Sequence, residues 1–452
     1  MMDWRNAYGT VLIVAAMTSL LAACGEEAQL PEEATRGPAP KLPEPAQTLF
    51  PTVDVATAKG WAEGDKPKPA KGLAVTAYAR GLDHPRWLYV LPNGDVLVAE
   101  SNAPERPDGD RSLKSMFFKM AQTQAGAGVL SANRISLLRD ADSDGTAETK
   151  MVFLRGLKSP IGMALVGHDL YVANTDSIMR FPYEEGATQI DAPGVKVTDL
   201  PANEPNHHWT KTLLANKDGT RLYVGVGSNS NVGENGLDKE TSRAAILEFD
   251  IKSGKSPVYA SGLRNPVGLA WEPESGALWA VVNERDELGS DLVPDYLTSI
   301  KEGGFYGWPY SYWGEHIDDR VTPQNPERAE KAIVPDYALG NHVAPLGLAF
   351  SSGTLLPQRY RNGAFVGQHG SWNRTPFSGY NVIFVPFAAG RPEGQPVEVL
   401  SGFLNDQGDA RGRPVGVAID HSGALLVADD VGNMVWRVST EAQSAAADEQ
   451  TR

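Results

Sequence analysis

The chain has 452 residues, with 41 Lys and Arg against 56 Asp and Glu for a net charge of −15, 46 Gly, 32 Pro and one Cys. That length supports a large core and excludes disorder throughout, and an acidic chain with no basic block excludes a nucleic-acid binder, because phosphate contacts need clustered positive charge. One cysteine excludes an intramolecular disulfide, an iron–sulfur cluster and a Cys-rich zinc site, so any metal must take oxygen or His ligands.

The long apolar run, Val11 to Ala23, is too short to cross a bilayer core of ~30 Å as a helix. With Arg5 ahead of it and Leu21-Ala22-Ala23 just before Cys24, residues 1–23 resemble a bacterial lipoprotein signal peptide. That resemblance implies lipid on Cys24, a cell-envelope location on the periplasmic or extracellular face, and membrane contact through the anchor alone. Residues 24–74 are rich in Ala, Pro and Glu, with prolines too closely spaced for helix or central strand, and read as a tether. The last residues, 441–452, are polar and without periodicity, and read as a disordered tail.

Residues 75–440 carry a repeated phrase: a turn with Pro, a short strand, a turn with Gly or Asp, and a second strand rich in Leu, Val, Tyr and Ala. It begins at Gly81 (GLDHPRWLYVLPNGDVLVAES), Gly156, His208, Gly262, Ala344 and Gly412. The Pro-equivalent positions, Pro85, Pro160, Thr210, Pro266, Pro345 and Pro414, lie about 50 to 80 residues apart, near one propeller blade with its loops. Each copy holds a hairpin signal. The expected fold is all-β, a six-bladed β-propeller, with one short helical insertion where Leu113, Met116, Phe117 and Met120 fall at helical spacing. In the first blade, Asp140, Asp142, Asp144, Gly145 and Glu148 follow the early positions of a calcium loop, although Met151 stands where the closing glutamate belongs.

Loops at one end of a propeller surround its central channel, so the segments opening each repeat are where chemistry is expected. They are rich in Arg, His and Asn: Asn206-His207-His208-Trp209-Thr210-Lys211, Arg264-Asn265-Pro266, Arg374, and Arg411-Gly412-Arg413-Pro414. Cationic groups converging on a channel suit an anionic ligand. No His-Glu-x-x-His, Gly-x-Ser-x-Gly or Gly-x-Gly-x-x-Gly is present, so zinc-protease, serine-hydrolase and nicotinamide readings lack their residues.

At these residues the chain resembles the glucose/sorbosone dehydrogenase family, through HHWTKTLLANKDGTRLYVGVGSNSN, GLRNPVGLAW, IKEGGFYGWPYSYWG and HGSWNR. The resemblance spans most of residues 75–438 and implies a six-bladed propeller using pyrroloquinoline quinone (PQQ) and Ca2+ to oxidise a sugar. By that resemblance His208 is the general base. Arg264 and Asn265 reach quinone and substrate, with Arg264 also catalytic, and Arg374, Arg411, Arg413 and Lys211 contact the cofactor. Arg285 and Asp286 border the calcium through side-chain or backbone oxygens. The chemistry agrees: a base titrating near neutrality removes the hydroxyl proton as hydride leaves, a hard cation polarises the quinone carbonyl, and guanidinium groups bind carboxylates bidentately.

The chain departs from the glucose-oxidising pattern at Asn283-Glu284-Arg285-Asp286, which is closer to the sorbosone branch, and also at Lys211-Thr212 and at Gly227-Ser228-Asn229-Ser230-Asn231, so glucose is not the default substrate. The resulting expectation is a quinoprotein oxidising an aldose or sugar aldehyde, with a cytochrome or quinone as electron acceptor. The alternatives are a calcium-dependent propeller lactonase, which would ring its channel with carboxylate and Asn ligands, and a non-catalytic ligand-binding propeller. Should His208 not be the base, His342 and His369 are next.

Overall fold

The structure, a computed structural model, describes residues 26–46, 52–105, 123–351 and 355–441. The signal peptide, Cys24, the helix expected around Leu113–Met120 and the tail beyond Glu441 lie outside the described residues. Among the described residues no helix is long and apolar enough to cross a membrane.

Six antiparallel sheets stand around a central axis, and each begins with its innermost strand: Pro85–Val90, Met163–Val166, Lys211–Ala215, Asn265–Trp271, Pro345–Phe350 and Pro414–Ile419. The six-bladed propeller is as expected. The ring closes where Leu73–Arg80 pairs with Met434–Thr440 as the outermost strand of the sixth blade, so one blade joins both ends of the domain.

The recurrent Pro-x-Gly of the repeat has a packing cause. A Cβ on Gly162, Gly268, Gly347 or Gly416 would fall 2.3 to 2.8 Å from the innermost strand of the following blade, meeting Leu213, Leu346, Val415 and Arg86 respectively. The glycines let neighbouring innermost strands touch where the ring is narrowest. The residues before Gly268, Gly347 and Gly416, which are Val267, Leu346 and Val415, face inward and pack together with Trp87. Six buried apolar clusters fill the wedges between blades, including Trp436 with Phe384 and Tyr296 with Leu278.

The stretch 24–74 differs from the tether expected of it, because its described part is bound along the propeller. Arg36–Gly37 adds an edge strand to the fourth blade, and Lys68–Pro69 adds one to the fifth. Ahead of the first of these, Ala28 donates to Thr375 and Gln29 and Leu30 donate to the Asp291 carboxylate; between the two, Ala46 donates to Leu288 and Asp54 to Trp372. Proline-rich chain without periodicity reads as a spacer, but its extended backbone keeps unpaired N–H and C=O groups, and here loops satisfy them one at a time. This strap crosses the end of the propeller that also carries the repeat-opening loops.

Candidate active site

His208 stands at the entry to the innermost strand of the third blade, in a turn stapled from beneath. Arg243, 4% exposed, donates to Pro201 O at 2.9 Å, Asn206 Oδ1 at 3.0 Å and His208 O at 2.9 Å. The His208 Nδ1 lies 2.9 Å from Ser228 O and 3.0 Å from Ser228 Oγ. The Ser228 hydroxyl itself donates to Ser230 O, so Nδ1 carries the proton and donates to the Ser228 carbonyl. Its Nε2 is left as the basic nitrogen, with no hydrogen-bond partner among the described residues. Burial, reinforced by His207, Arg264 and Arg243, holds the imidazole well below its ordinary pKa, so it is neutral at neutral pH.

Beside it, Gly227 has no room for a side chain: a Cβ there would sit 2.3 Å from Asn265 Oδ1 and 2.5 Å from the His208 Cβ. That gap lets Asn265 and His208 approach each other. Asn265 is 8% exposed, and its Oδ1 is a buried acceptor with no partner.

The Gly227–Asn231 loop, where the sequence departs from the glucose-oxidising pattern, connects His208 to a second group of residues. Asn231 Oδ1 accepts from Arg264 Nη2 at 3.0 Å and from Asp286 N at 2.9 Å, while Asn231 O accepts from Arg264 Nε at 3.2 Å and Trp308 Nε1 at 2.9 Å. Thus Trp308 of the Gly-Trp-Pro segment braces the same asparagine. Arg264 Nη2 donates to Asp286 Oδ2 at 2.7 Å, and Arg264 Nη1 to the Glu284 carbonyl. Asp286 Oδ1 accepts from Asn373 Nδ2 at 2.8 Å. Below this loop the buried Asp295 accepts from Glu284 N and Ala344 N, and burial pushes its carboxyl up to about 8.

The expected residues divide. His208, Asn265, Arg264 and Asp286 come together. Arg285 turns away, 1% exposed, and pairs with Asp318 at 2.6 Å, so only its backbone faces the loop. Arg374 is 3% exposed and donates to Ser290 O at 3.0 Å and Pro376 O at 2.7 Å, which makes it a brace between loops. Lys211 has no exposed surface and donates to Trp209 O at 3.2 Å, so it does not reach a ligand. Arg411 lies on the rim, 3.8 Å from Asp65. Arg413 is buried, donates to Ala56 O and Tyr380 Oη, and keeps an unpaired Nε. His342 has both nitrogens engaged, with Gly289 O and Asn373, and is no free base.

One cation was missed by sequence reasoning. Arg86 follows the first repeat's Pro85, in the inward-facing position that Val267, Leu346 and Val415 occupy elsewhere. Its Nη1 donates to Asp430 Oδ2 at 2.6 Å, its guanidinium carbon is 5.9 Å from the Trp209 ring centroid, and its Nε has no partner. Asp430 also meets His369 at 2.9 Å, and burial pushes that imidazole down to about 4. Aligning the repeats on their prolines would have exposed Arg86, with Lys211 of the third repeat, as a charged residue in a ring otherwise made of Ile161, Val267, Leu346 and Val415.

Asp140, Asp142, Asp144 and Glu148 do converge, each offering a ligand atom within 4.8 Å of the others. They join the third and fourth strands of the first blade, at the end of the propeller away from His208. No other group of three or more His, Cys, Asp or Glu among the described residues is arranged to hold a metal.

The fold and site define a six-bladed propeller carrying a neutral, oriented histidine among buried cations at one end. The chain belongs to the TrAA12-like family, whose model matches residues 123–300 and 315–441. An uncharacterized protein of Borreliella burgdorferi is 29% identical over 297 residues, covering 63% of this chain and 76% of that one. The pyrroloquinoline quinone-dependent sugar dehydrogenase of Hypocrea jecorina is 21% identical over 354 residues, covering 67% and 79%. Among solved structures, the PQQ domain of Coprinopsis cinerea pyranose dehydrogenase in its holo form superposes with a TM-score of 0.67 at 20% identity, covering 85% of this chain and 100% of that one.

Proposed function

We propose that the protein is a quinoprotein sugar dehydrogenase that binds PQQ and Ca2+ and oxidises an aldose or a sugar aldehyde of the sorbosone kind, passing the electrons to a cytochrome or quinone. The observation that carries this reading is His208, whose tautomer is set by Ser228 and whose Nε2 is free at a mouth holding unpaired buried polar atoms.

Those atoms fit the cofactors. Arg86 Nε and Arg413 Nε are buried donors without acceptors, suited to the carboxylates of PQQ, and Asn265 Oδ1 is a buried acceptor beside His208. The Asp286 carboxylate and the Glu284 and Asn231 carbonyls are oxygen donors of the kind that suits a hard divalent ion, but the Arg264 guanidinium already occupies them, so calcium would take them only with that side chain displaced. Bound there, the quinone would take up hydride from the sugar carbon while calcium polarised the quinone carbonyl. The protein's own part is to hold and move a proton: His208 Nε2 accepts it from the sugar hydroxyl, and the Ser228 carbonyl stabilises the imidazolium through Nδ1–H. Arg264 orients Asn231 and Asp286.

Reconstitution tests the reading. Apoprotein given PQQ and Ca2+ is expected to reduce an artificial dye with sugars, and to lose that activity when either is omitted. Hydrolysis of lactones with Ca2+ alone would establish the lactonase instead, and saturable sugar binding without turnover would establish a binding protein.

The Leu-Ala-Ala-Cys sequence further supports a lipid anchor on Cys24, in the cell envelope. Glu26, the first described residue, is held at the mouth end, where its N–H donates to Thr52 Oγ1 and its carbonyl accepts from Ser290. Two residues reach at most ~7 Å, so a lipid on Cys24 would hold this end of the propeller near the bilayer surface. Cys24→Ser is expected to shift the protein from the membrane to the soluble fraction; an unchanged distribution on fractionation would refute the anchor.

A further inference from the structure

We propose that the Ala56–Trp61 stretch of the N-terminal strap positions the anion-binding wall of the mouth, so that the strap is a working part of the site. This rests on the quinoprotein reading for the identity of the anion.

The connection runs through two adjacent aspartates at the end of the second strand of the sixth blade. Asp429 is fully buried and has four donors: Trp61 Nε1 at 2.7 Å, Trp436 Nε1 at 3.0 Å, and the backbone N–H groups of Arg413 and Gly432, each at 2.8 Å. The Trp61 ring packs edge-on against Phe403 and Trp436, with centroids 5.6 and 5.4 Å apart. The nest is closed, since a Cβ on Gly412 or Gly432 would lie 2.2 or 2.3 Å from the Asp429 carboxylate. Asp430, the next residue, holds Arg86 and His369. Displacing Trp61 therefore disturbs both the backbone that presents Arg413 and the residue that presents Arg86.

The strap grips Arg413 a second time. Ala56 O accepts from Arg413 Nη2 at 3.3 Å, and the guanidinium lies 5.0 Å from the Tyr380 ring centroid. Thr57 O accepts from Ala410 N and Lys59 N donates to Ala410 O, so strap and wall run side by side for these residues. Ala58 N donates to Gln124 O, and Gln124 Nε2 to Thr57 Oγ1 at 3.0 Å, tying in the loop of the first blade. The strap thus bridges the sixth and first blades, the two that supply Arg413 and Arg86. Trp61 touches no reacting atom in this account; it is a positioning residue.

The test uses the full chain, Trp61→Ala, and Trp61→Phe as the conservative variant, which keeps an aromatic ring in the nest but loses the N–H. Two readouts are taken: PQQ affinity by absorbance titration, and the rate at which phenylglyoxal labels Arg413, followed by mass spectrometry with buried Arg264 as internal control. Trp61→Ala is expected to weaken PQQ binding about tenfold or more and to speed labelling of Arg413 several-fold while Arg264 stays protected, with Trp61→Phe recovering part of both. Unchanged labelling of Arg413, or faster labelling with unchanged PQQ affinity, would overturn the inference. Faster labelling of Arg264 as well would show a general loss of fold and likewise overturn it. A parent chain that binds no PQQ overturns the cofactor reading alone, and Arg413 labelling then decides whether the strap holds that residue.

Discussion

Replacing His208 by Ala or Gln is expected to lower turnover by ~10²–10⁴-fold while leaving PQQ affinity and thermal unfolding close to the parent's, because general-base catalysis contributes in that range and the imidazole makes one backbone hydrogen bond. The pH profile carries a sharper expectation. Burial and neighbouring cations hold the His208 pKa well below 6.5, and the neutral imidazole is the active form. Activity should therefore rise with pH through a limb lying below the ordinary histidine range, reach its plateau before neutrality, and lose that limb in the variants. Stability follows the same sign: the folded state resists protonating His208, so its contribution is complete above pH 6.5 and declines as pH falls below it, where the unfolded chain takes up the proton. His207, exposed and stacked edge-on at 4.7 Å from His208, is the control. A His207→Ala variant that loses turnover while His208→Ala keeps it would transfer the role to the neighbour.

The propeller was legible because its repeat has a steric cause that leaves a mark on the sequence. Where the innermost strands of the second, fourth, fifth and sixth blades meet the next blade, only glycine fits, so Pro-x-Gly recurs at Pro160, Pro266, Pro345 and Pro414, while the first and third copies carry Trp87 and Thr212 at that position. His208 was legible for a related reason, since the turn that opens a strand fixes which end of the molecule its residue occupies. The arginines were legible as charges without their partners. Composition marks Arg264 and Arg374 as cations near the mouth, but whether a guanidinium faces a ligand or a set of carbonyls depends on loops distant in the chain, such as Ser290 for Arg374 and Asn231 for Arg264. Arg86 was obscured by the opposite effect: its repeat has Trp87 in place of glycine, so it lacks the Pro-x-Gly phrase that would have aligned Arg86 with the inward-facing residues of the other copies. The strap left no pattern, because its pairing is made by single backbone groups and periodicity arises only from repeated side-chain burial.

Arg264→Ala is expected to have the largest effect on stability of any substitution at the site. Arg264 is 2% exposed, and its guanidinium satisfies five oxygens: the Asn231, Asn283 and Glu284 carbonyls, Asn231 Oδ1 and Asp286 Oδ2. Removing it leaves those acceptors facing a cavity and leaves the Asp286 carboxylate, whose side chain is 17% exposed, without its cation. Breaking a buried pair from one side costs about 3–5 kcal/mol, more than the attraction itself contributes, because the surviving charge stays desolvated. Urea unfolding of Arg264→Ala should show a loss of that order, and PQQ binding should fall with it because Asn231 and Asp286 are released together. The double variant Arg264→Ala with Asp286→Asn separates charge from packing. If the stranded carboxylate causes most of the loss, the second substitution recovers a large part of the stability without restoring PQQ binding. If Arg264→Ala unfolds at the parent's urea midpoint, Arg264 does not hold the loop. The residue would then be free to contact the cofactor directly, as the family resemblance first implied.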